Sequence, residues 1–206
     1  SAKVALQGTL LYKYSCPENI LTKLKEYSNA IDWSNVPKRN KLEYSGRSFL
    51  PEGMQSLHMS YELNDLHTWV TSCINTTKDE IGWNDSCMGS FRISQSWLNA
   101  SSTGEMHHHH IHQLSLLSSI LYIQGQAETI FWEKSLYSLP NLIAPTPKFE
   151  SIYKQQKVIS KIGTLIVFPS NLRHSVEKNP SSENRITFSA NSWFDGEYGD
   201  AKGLVY

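Results

Sequence analysis

The chain has 206 residues, of which 39% are apolar, and its 19 basic and 19 acidic side chains leave a net charge of zero. This length suits one domain with a sizeable core, so residues 1–206 are predicted to form a single domain rather than a disordered chain. The neutral balance excludes a polycation that binds nucleic acid backbones, and 11% aromatic against 18% charged residues favours a β-rich fold.

The cysteines are odd in number and widely spaced, at Cys16, Cys73 and Cys87. This pattern indicates neither a disulfide framework nor a zinc site of the CxxC type. No apolar run approaches the roughly 20 residues that cross a bilayer, and no basic segment followed by an apolar one opens the chain. We therefore expect a cytoplasmic protein without a membrane partner.

Two amphipathic helices are predicted within residues 1–88. The segment Ser15-Cys16-Pro17-Glu18 has the form of a capping box, and apolar residues follow it at helical spacing: Ile20, Leu21, Leu24 and Tyr27. Asn64 or Asp65 is predicted to cap the second helix, whose apolar face is formed by Leu66, Trp69, Val70, Cys73 and Ile74. We interpret this part, with its strands, as packing support.

After residue 88 the pattern changes to short runs rich in β-branched and aromatic residues. Six strands are predicted: Ser90 to Asn99, His107 to Ile123, Thr129 to Glu133, Lys157 to Phe168, His174 to Glu177 and Arg185 to Phe194. Because helices do not alternate with them, residues 89–195 are predicted to form an antiparallel sandwich or barrel. Residues 134–156 are predicted to be a long functional loop at its rim.

A candidate metal site lies in the second predicted strand. His110 and His112 flank Ile111, and the period of two along a strand places both imidazoles on one face. Folding could bring His174 to this pair as a third ligand. Three neutral imidazoles suit iron, copper, nickel or zinc and leave coordination positions open. His108 shares the predicted face and could replace a member of the pair.

The spacing around these histidines resembles the motifs of cupins. Five residues separate Gly104 from His110, and a second glycine motif precedes His174. However, the Glu that cupins carry after the second histidine is absent, since Leu116 and Leu117 stand there. The cupin interpretation is weakened accordingly.

Arg185 opens a strand eleven residues beyond His174, and this favours another family. The series of motifs resembles a branch of short 2-oxoglutarate- and Fe(II)-dependent oxygenases that is similar to prolyl hydroxylases. The resemblance covers roughly residues 90 to 195. It implies an enzyme that uses Fe(II) and 2-oxoglutarate, with a double-stranded β-helix (jelly-roll) fold and supporting N-terminal helices.

The same resemblance implies roles for individual residues. His110, His112 and His174 are the implied iron ligands, and Arg185 is the implied anchor for the far carboxylate of 2-oxoglutarate, which a guanidinium can contact at two points. Further cosubstrate-binding candidates are Tyr122, Asn99, Thr187 and Asn191, and Trp97 is a candidate for the pocket wall.

His112 departs from the family pattern, because most 2-oxoglutarate oxygenases have Asp or Glu at this position. Three neutral ligands leave the iron one negative charge short, which should alter its redox potential and oxygen reactivity. The implied activity is hydroxylation of an unactivated C–H bond in a small molecule or a peptidyl residue, with release of succinate and CO2. The alternatives are a three-histidine cupin-type dioxygenase that does not use 2-oxoglutarate, and a non-catalytic jelly-roll binding module.

Overall fold

Strands dominate the computed structural model of this chain, which describes residues 2–6, 9–38, 46–52, 56–57, 60–83, 89–125, 128–134, 153–159, 161–195, 197–198 and 204–205. The strands are β1 (Ala2–Leu6), β2 (Thr9–Ser15), β3 (Arg47–Phe49), β4 (Phe91–Ser101), β5 (His107–His110), β6 (Leu117–Gln124), β7 (Glu128–Lys134), β8 (Tyr153–Ile159), β9 (Thr164–Pro169), β10 (Arg173–Val176), β11 (Arg185–Phe194), β12 (Glu197–Tyr198) and β13 (Leu204–Val205). The helices are α1 (Glu18–Asn29), a 3₁₀ turn (Tyr61–Leu63) and α2 (Asn64–Ile81).

The strands form two antiparallel sheets that pack against each other. The larger sheet has seven strands in the order β1-β2-β9-β6-β11-β4-β3, and the smaller has four in the order β5-β10-β7-β8. The short strands β12 and β13 pair separately. The predicted mainly β, jelly-roll fold class is confirmed.

The larger sheet is covered on both faces, and this explains the apolar character of its central strands. In β9, Leu165 and Val167 pack on the side of the helices, whereas Ile166 and Phe168 pack on the side of the smaller sheet. Because successive side chains point to opposite faces, burial on both sides favours an apolar run such as Leu165 to Phe168 in β9. The N-terminal strands β1, β2 and β3 belong to this sheet, while the division at residue 88 stays a prediction.

Both predicted helices are present with the expected buried faces. The buried apolar side chains are Ile20, Leu21 and Leu24 in α1, and Leu66, Val70, Cys73 and Ile74 in α2. The predicted caps are wrong, because neither helix has a side-chain cap hydrogen bond. Ser15 is the last residue of β2, and Asn64 continues directly from the 3₁₀ turn.

Several predicted boundaries are corrected. The strand predicted from His107 to Ile123 is divided into β5 and β6, and the one from Lys157 to Phe168 is divided by a turn in which Gly163 has a φ of 82°. The strand from Arg185 to Phe194 is confirmed. Of the predicted loop at 134–156, Lys134 ends β7 and residues 153–156 begin β8, while residues 135–152 lie outside the described residues.

Among the described residues, no helix combines the length and the apolar character needed to cross a membrane. The cytoplasmic location stays a prediction.

Gly125 follows β6 with a φ of 74°, and a Cβ there would lie 3.1 Å from the Cα of Arg185. Gly104 has a similar φ of 76°, but a Cβ there meets nothing within 4 Å. Both Ala substitutions should carry the cost of a left-handed backbone, about 1–2 kcal/mol. We predict that Gly125→Ala lowers the free energy of unfolding by about 1–3 kcal/mol more than Gly104→Ala does, because the added Cβ is crowded at Gly125 but not at Gly104. Urea unfolding of the two variants measures the difference, and equal losses would contradict the prediction.

Candidate metal centre and its pocket

A pocket lies between the two sheets, with a cavity volume of about 50 Å³. The larger sheet contributes side chains from β4, β6 and β11, and the smaller sheet contributes side chains from β5, β7 and β10. The described lining consists of Trp97, Asn99, Ser101, His107, His110, His112, Ile120, Tyr122, Thr129, His174, Val176, Arg185, Thr187 and Ser189. Alternate residues of each long strand line it, as expected for one face of a pleated sheet.

Strand pairing brings His110 and His174 together. The two residues are direct partners in the antiparallel pair of β5 and β10, and their ring centroids are 4.3 Å apart. His112 lies beyond the end of β5, where its backbone N–H donates to the carbonyl of Ser170 at 3.0 Å. Its ring is 5.1 Å from each of the other two rings and 5.9 Å from that of Trp97.

The three imidazoles have the geometry of a small metal site. One ring nitrogen from each of His110, His112 and His174 lies within 4.8 Å of the others. The Nδ1 atoms of His110 and His174 are 2.9 and 3.0 Å from the backbone carbonyls of His108 and Leu172. Such contacts place the proton on Nδ1 and leave the lone pair of Nε2 for a metal. This donor set therefore fits Fe(II).

The expected strand alternation fails within the histidine run. The strand ends at His110, so His112 is not on a continuing strand, and the register of β5 against β10 shifts between the pairs His174–His110 and Val176–His107. Such a bulge changes which side chains face inward. His107 consequently lines the pocket, whereas His108 is exposed and does not belong to the described three-nitrogen group.

Burial keeps the inner histidines neutral. Desolvation, followed by the influence of His110, lowers the pKa of His112 to about 4. Desolvation also lowers the pKa values of His174 and His107 well below 6.5. Neutral rings are the form that binds metal ions, so these side chains need no deprotonation at neutral pH.

Arg185 lies across the pocket at the start of β11 and is only 4% exposed. Its guanidinium donates to the carbonyl of Glu177 at 2.9 Å and to Oγ of Ser101 at 3.2 Å. The described pocket lining contains no carboxylate, and Arg185 is its only side chain with a permanent positive charge. A buried cation in such surroundings favours an anionic ligand.

Three other predicted residues lie in one row across neighbouring strands, with Asn99 and Tyr122 each paired to Thr187. The Tyr122 hydroxyl forms a short hydrogen bond with Thr129 Oγ1. The Asn99 side chain accepts from Ser48 and Trp97 and donates to Ser189, at 2.9–3.1 Å. Asn99 and Trp97 therefore form one hydrogen-bonded part of the pocket wall.

Asn191 is not among the described residues that line the pocket. It lies on the same face of β11, but further along the strand, where its Oδ1 accepts a hydrogen bond from Ser118 at 2.8 Å. Sequence reasoning also missed six lining residues: Ser101, His107, Ile120, Thr129, Val176 and Ser189. Period two along β4 and β11 could have identified Ser101 and Ser189, whereas the bulge hid His107.

The chain matches one sequence family, described as "Putative 2OG-Fe(II) oxygenase", over residues 95–191. This segment begins in β4 and ends in β11, and it includes the three histidines and Arg185. Comparison with curated protein sequences gave no significant match.

Solved structures share the fold. A prolyl-4-hydroxylase from Pseudomonas putida has a TM-score of 0.57 at 11% identity, covering 89% of this chain and 91% of its own. A prolyl hydroxylase from Trichoplax adhaerens, in complex with a hypoxia inducible factor peptide fragment, has a TM-score of 0.57 at 10% identity, covering 89% and 82%. The epimerase SnoN, in complex with Fe3+, alpha ketoglutarate and nogalamycin RO, has a TM-score of 0.59 at 12% identity, covering 87% and 78%.

The lowered pKa values predict that acid destabilises the metal-free protein. Above about pH 6.5 these histidines are neutral in both the folded and the unfolded states, so they add no pH dependence. Below about pH 6.5 the histidines of the unfolded chain bind protons that those of the folded chain do not. The free energy of unfolding therefore falls as the pH decreases towards about 4, the pKa of His112 in the folded protein. The melting temperature of metal-free protein between pH 7.5 and 4.5 measures this loss. His112→Gln removes one such group and should give a shallower loss, whereas an equal slope would contradict the prediction.

Proposed function

We propose that this chain is a 2-oxoglutarate- and Fe(II)-dependent oxygenase of the jelly-roll type that hydroxylates an unactivated C–H bond, with succinate and CO2 as coproducts. The observation that carries the proposal is the two-ended pocket. Three imidazole nitrogens lie within 4.8 Å of one another at one end, and the buried Arg185 lies at the other.

We assign the iron ligands to His110, His112 and His174. When bound, Fe(II) and 2-oxoglutarate supply the oxidising power for C–H cleavage, and the protein supplies placement and exclusion of water. The fork of the Arg185 guanidinium suits the far carboxylate of the cosubstrate. Its contacts with Glu177 and Ser101 hold the guanidinium at a defined position.

The remaining lining residues have supporting roles in this proposal. Tyr122 and Thr187 are placed to contact the cosubstrate, since both line the pocket near Arg185 along β6 and β11. Trp97 packs beside His112, and Asn99 holds the Trp97 indole through a 3.1 Å hydrogen bond. A fixed indole limits the positions of the His112 ring, which orients the ligand set.

We propose that the substrate is a peptidyl residue or a small molecule. Both classes occur among proteins of this fold, as the peptide complex of the Trichoplax prolyl hydroxylase and the nogalamycin RO complex of SnoN indicate.

The presence of His112 in place of a carboxylate also supports a second candidate, a three-histidine dioxygenase that does not use 2-oxoglutarate. Succinate formation distinguishes the two, because only the 2-oxoglutarate enzyme forms succinate from its cosubstrate. Stoichiometric succinate supports our proposal, and substrate oxidation without succinate supports the alternative.

We predict that His110→Ala, His112→Ala and His174→Ala each abolish stoichiometric Fe(II) binding, because two imidazoles hold the ion less tightly than three. His108→Ala is the matched control, since this neighbouring histidine is exposed. Iron is measured on folded protein purified without nickel chromatography, because a histidine run captures nickel. Retention of iron by His112→Ala together with loss by His108→Ala would transfer the ligand role to His108.

Arg185 variants test the cosubstrate site. Charge-assisted hydrogen bonds contribute about 1.5–3 kcal/mol, so Arg185→Ala should weaken 2-oxoglutarate binding by at least about tenfold. Arg185→Lys keeps the charge but loses the fork and should lie between Ala and the parent. Anaerobic titration, followed through the visible metal-to-ligand charge-transfer band, measures each affinity. An unchanged affinity in Arg185→Ala, or no binding by the parent, would overturn the proposal.

A further inference from the structure

His107 is a histidine within the pocket that the proposed iron site does not use. It lines the cavity and its Nε2 atom is buried. Its ring lies 6.1 Å from that of His110, but it is outside the described group of three nitrogens that approach within 4.8 Å. Its place in the pocket lining therefore differs from that of the three grouped imidazoles.

Strand pairing places His107 at the Arg185 end of the pocket. In the smaller sheet, His107 and Thr129 are both partners of Val176. The Thr129 hydroxyl bonds to that of Tyr122, and the Arg185 guanidinium donates to the carbonyl of Glu177, which follows Val176. The side chains of His107, Arg185 and Tyr122 consequently surround one end of the cavity.

We propose that His107 is a cosubstrate-binding residue whose imidazole N–H donates a hydrogen bond to the far carboxylate of 2-oxoglutarate beside Arg185, an inference that rests on the proposed function. A carboxylate has two oxygens with about four lone-pair sites, so it can accept from a guanidinium and an imidazole together. No described lining residue is acidic, so a carboxylate meets no like-charged side chain of the lining here. The bulge in β5 is what turns His107 towards this end.

The test compares two ligands that differ only in the far carboxylate. 2-Oxovalerate has the carbon chain of 2-oxoglutarate but ends in a methyl group. Anaerobic calorimetry of Fe(II)-loaded protein measures the affinity for each ligand. We expect His107→Leu to weaken 2-oxoglutarate binding by about tenfold, the effect of losing one hydrogen bond to a charged group. Its affinity for 2-oxovalerate should stay within about twofold of the parent, because that ligand has no carboxylate for His107 to bind.

Two matched variants complete the design. His107→Gln keeps an N–H donor and should restore part of the lost affinity, and His108→Leu makes the same change at an exposed neighbouring position and should have no effect. Iron content and melting temperature show whether each variant still folds and holds metal.

The inference is overturned if His107→Leu binds 2-oxoglutarate as tightly as the parent, or if it loses affinity for both ligands equally, since equal losses indicate an effect through the metal or through packing. If His107→Leu does not fold, the same comparison is made with His107→Gln and His107→Asn, and equal effects on both ligands again overturn it. Failure of the parent to bind 2-oxoglutarate would instead overturn the proposed function, so the two failures are distinguishable.

Discussion

The antiparallel pairing of β5 with β10 is the interaction on which the site depends. It sets His110 opposite His174, and these residues are far apart in sequence, so no local preference could bring them together. The pairing also places β5 at the edge of the smaller sheet. A shift of this register by one residue would reverse the faces of the side chains and separate the imidazoles. Formation of the metal site therefore requires this register.

The second constraint is the burial of a charged guanidinium. Transfer of an ion from water into a protein interior costs several kcal/mol unless hydrogen bonds and an opposite charge offset the cost. Ser101 and the carbonyl of Glu177 supply hydrogen bonds to Arg185. In the proposed function an anionic cosubstrate adds a negative charge beside it. The pocket therefore combines a neutral metal-binding end with a cationic end, and this asymmetry suits a dianion that binds a metal at one end only.

In the proposed iron site, three histidine ligands would place less negative charge beside the metal than a set that includes a carboxylate. A carboxylate ligand would add a negative charge beside the metal, whereas His112 adds none, and its low pKa makes a neutral ring the stable form in the folded protein. The burial that lowers this pKa also limits the access of water to the ring. Trp97 packs against the same ring, so the residue that departs from the usual pattern is also one that the pocket wall holds in place.

The candidate residues of the site and the buried faces of the long elements could be predicted from the sequence alone. Hydrophobic periodicity located the buried sides of α1 and α2 and the whole of β11, because burial selects apolar side chains at 3.6- and two-residue spacing. The spacing of the histidines, together with the resemblance to short 2-oxoglutarate oxygenases, singled out His110, His112, His174 and Arg185. The alternation of side chains along a strand did not predict which histidines face the pocket or where Asn191 lies, because these depend on the pairing of strands. The bulge between β5 and β10 turned His107 inward and left His108 exposed, and Asn191 was carried past the end of the pocket to Ser118. A bulge and a register are set by pairing between strands distant in sequence, so no local pattern in the histidine run could encode which of its rings face the cavity.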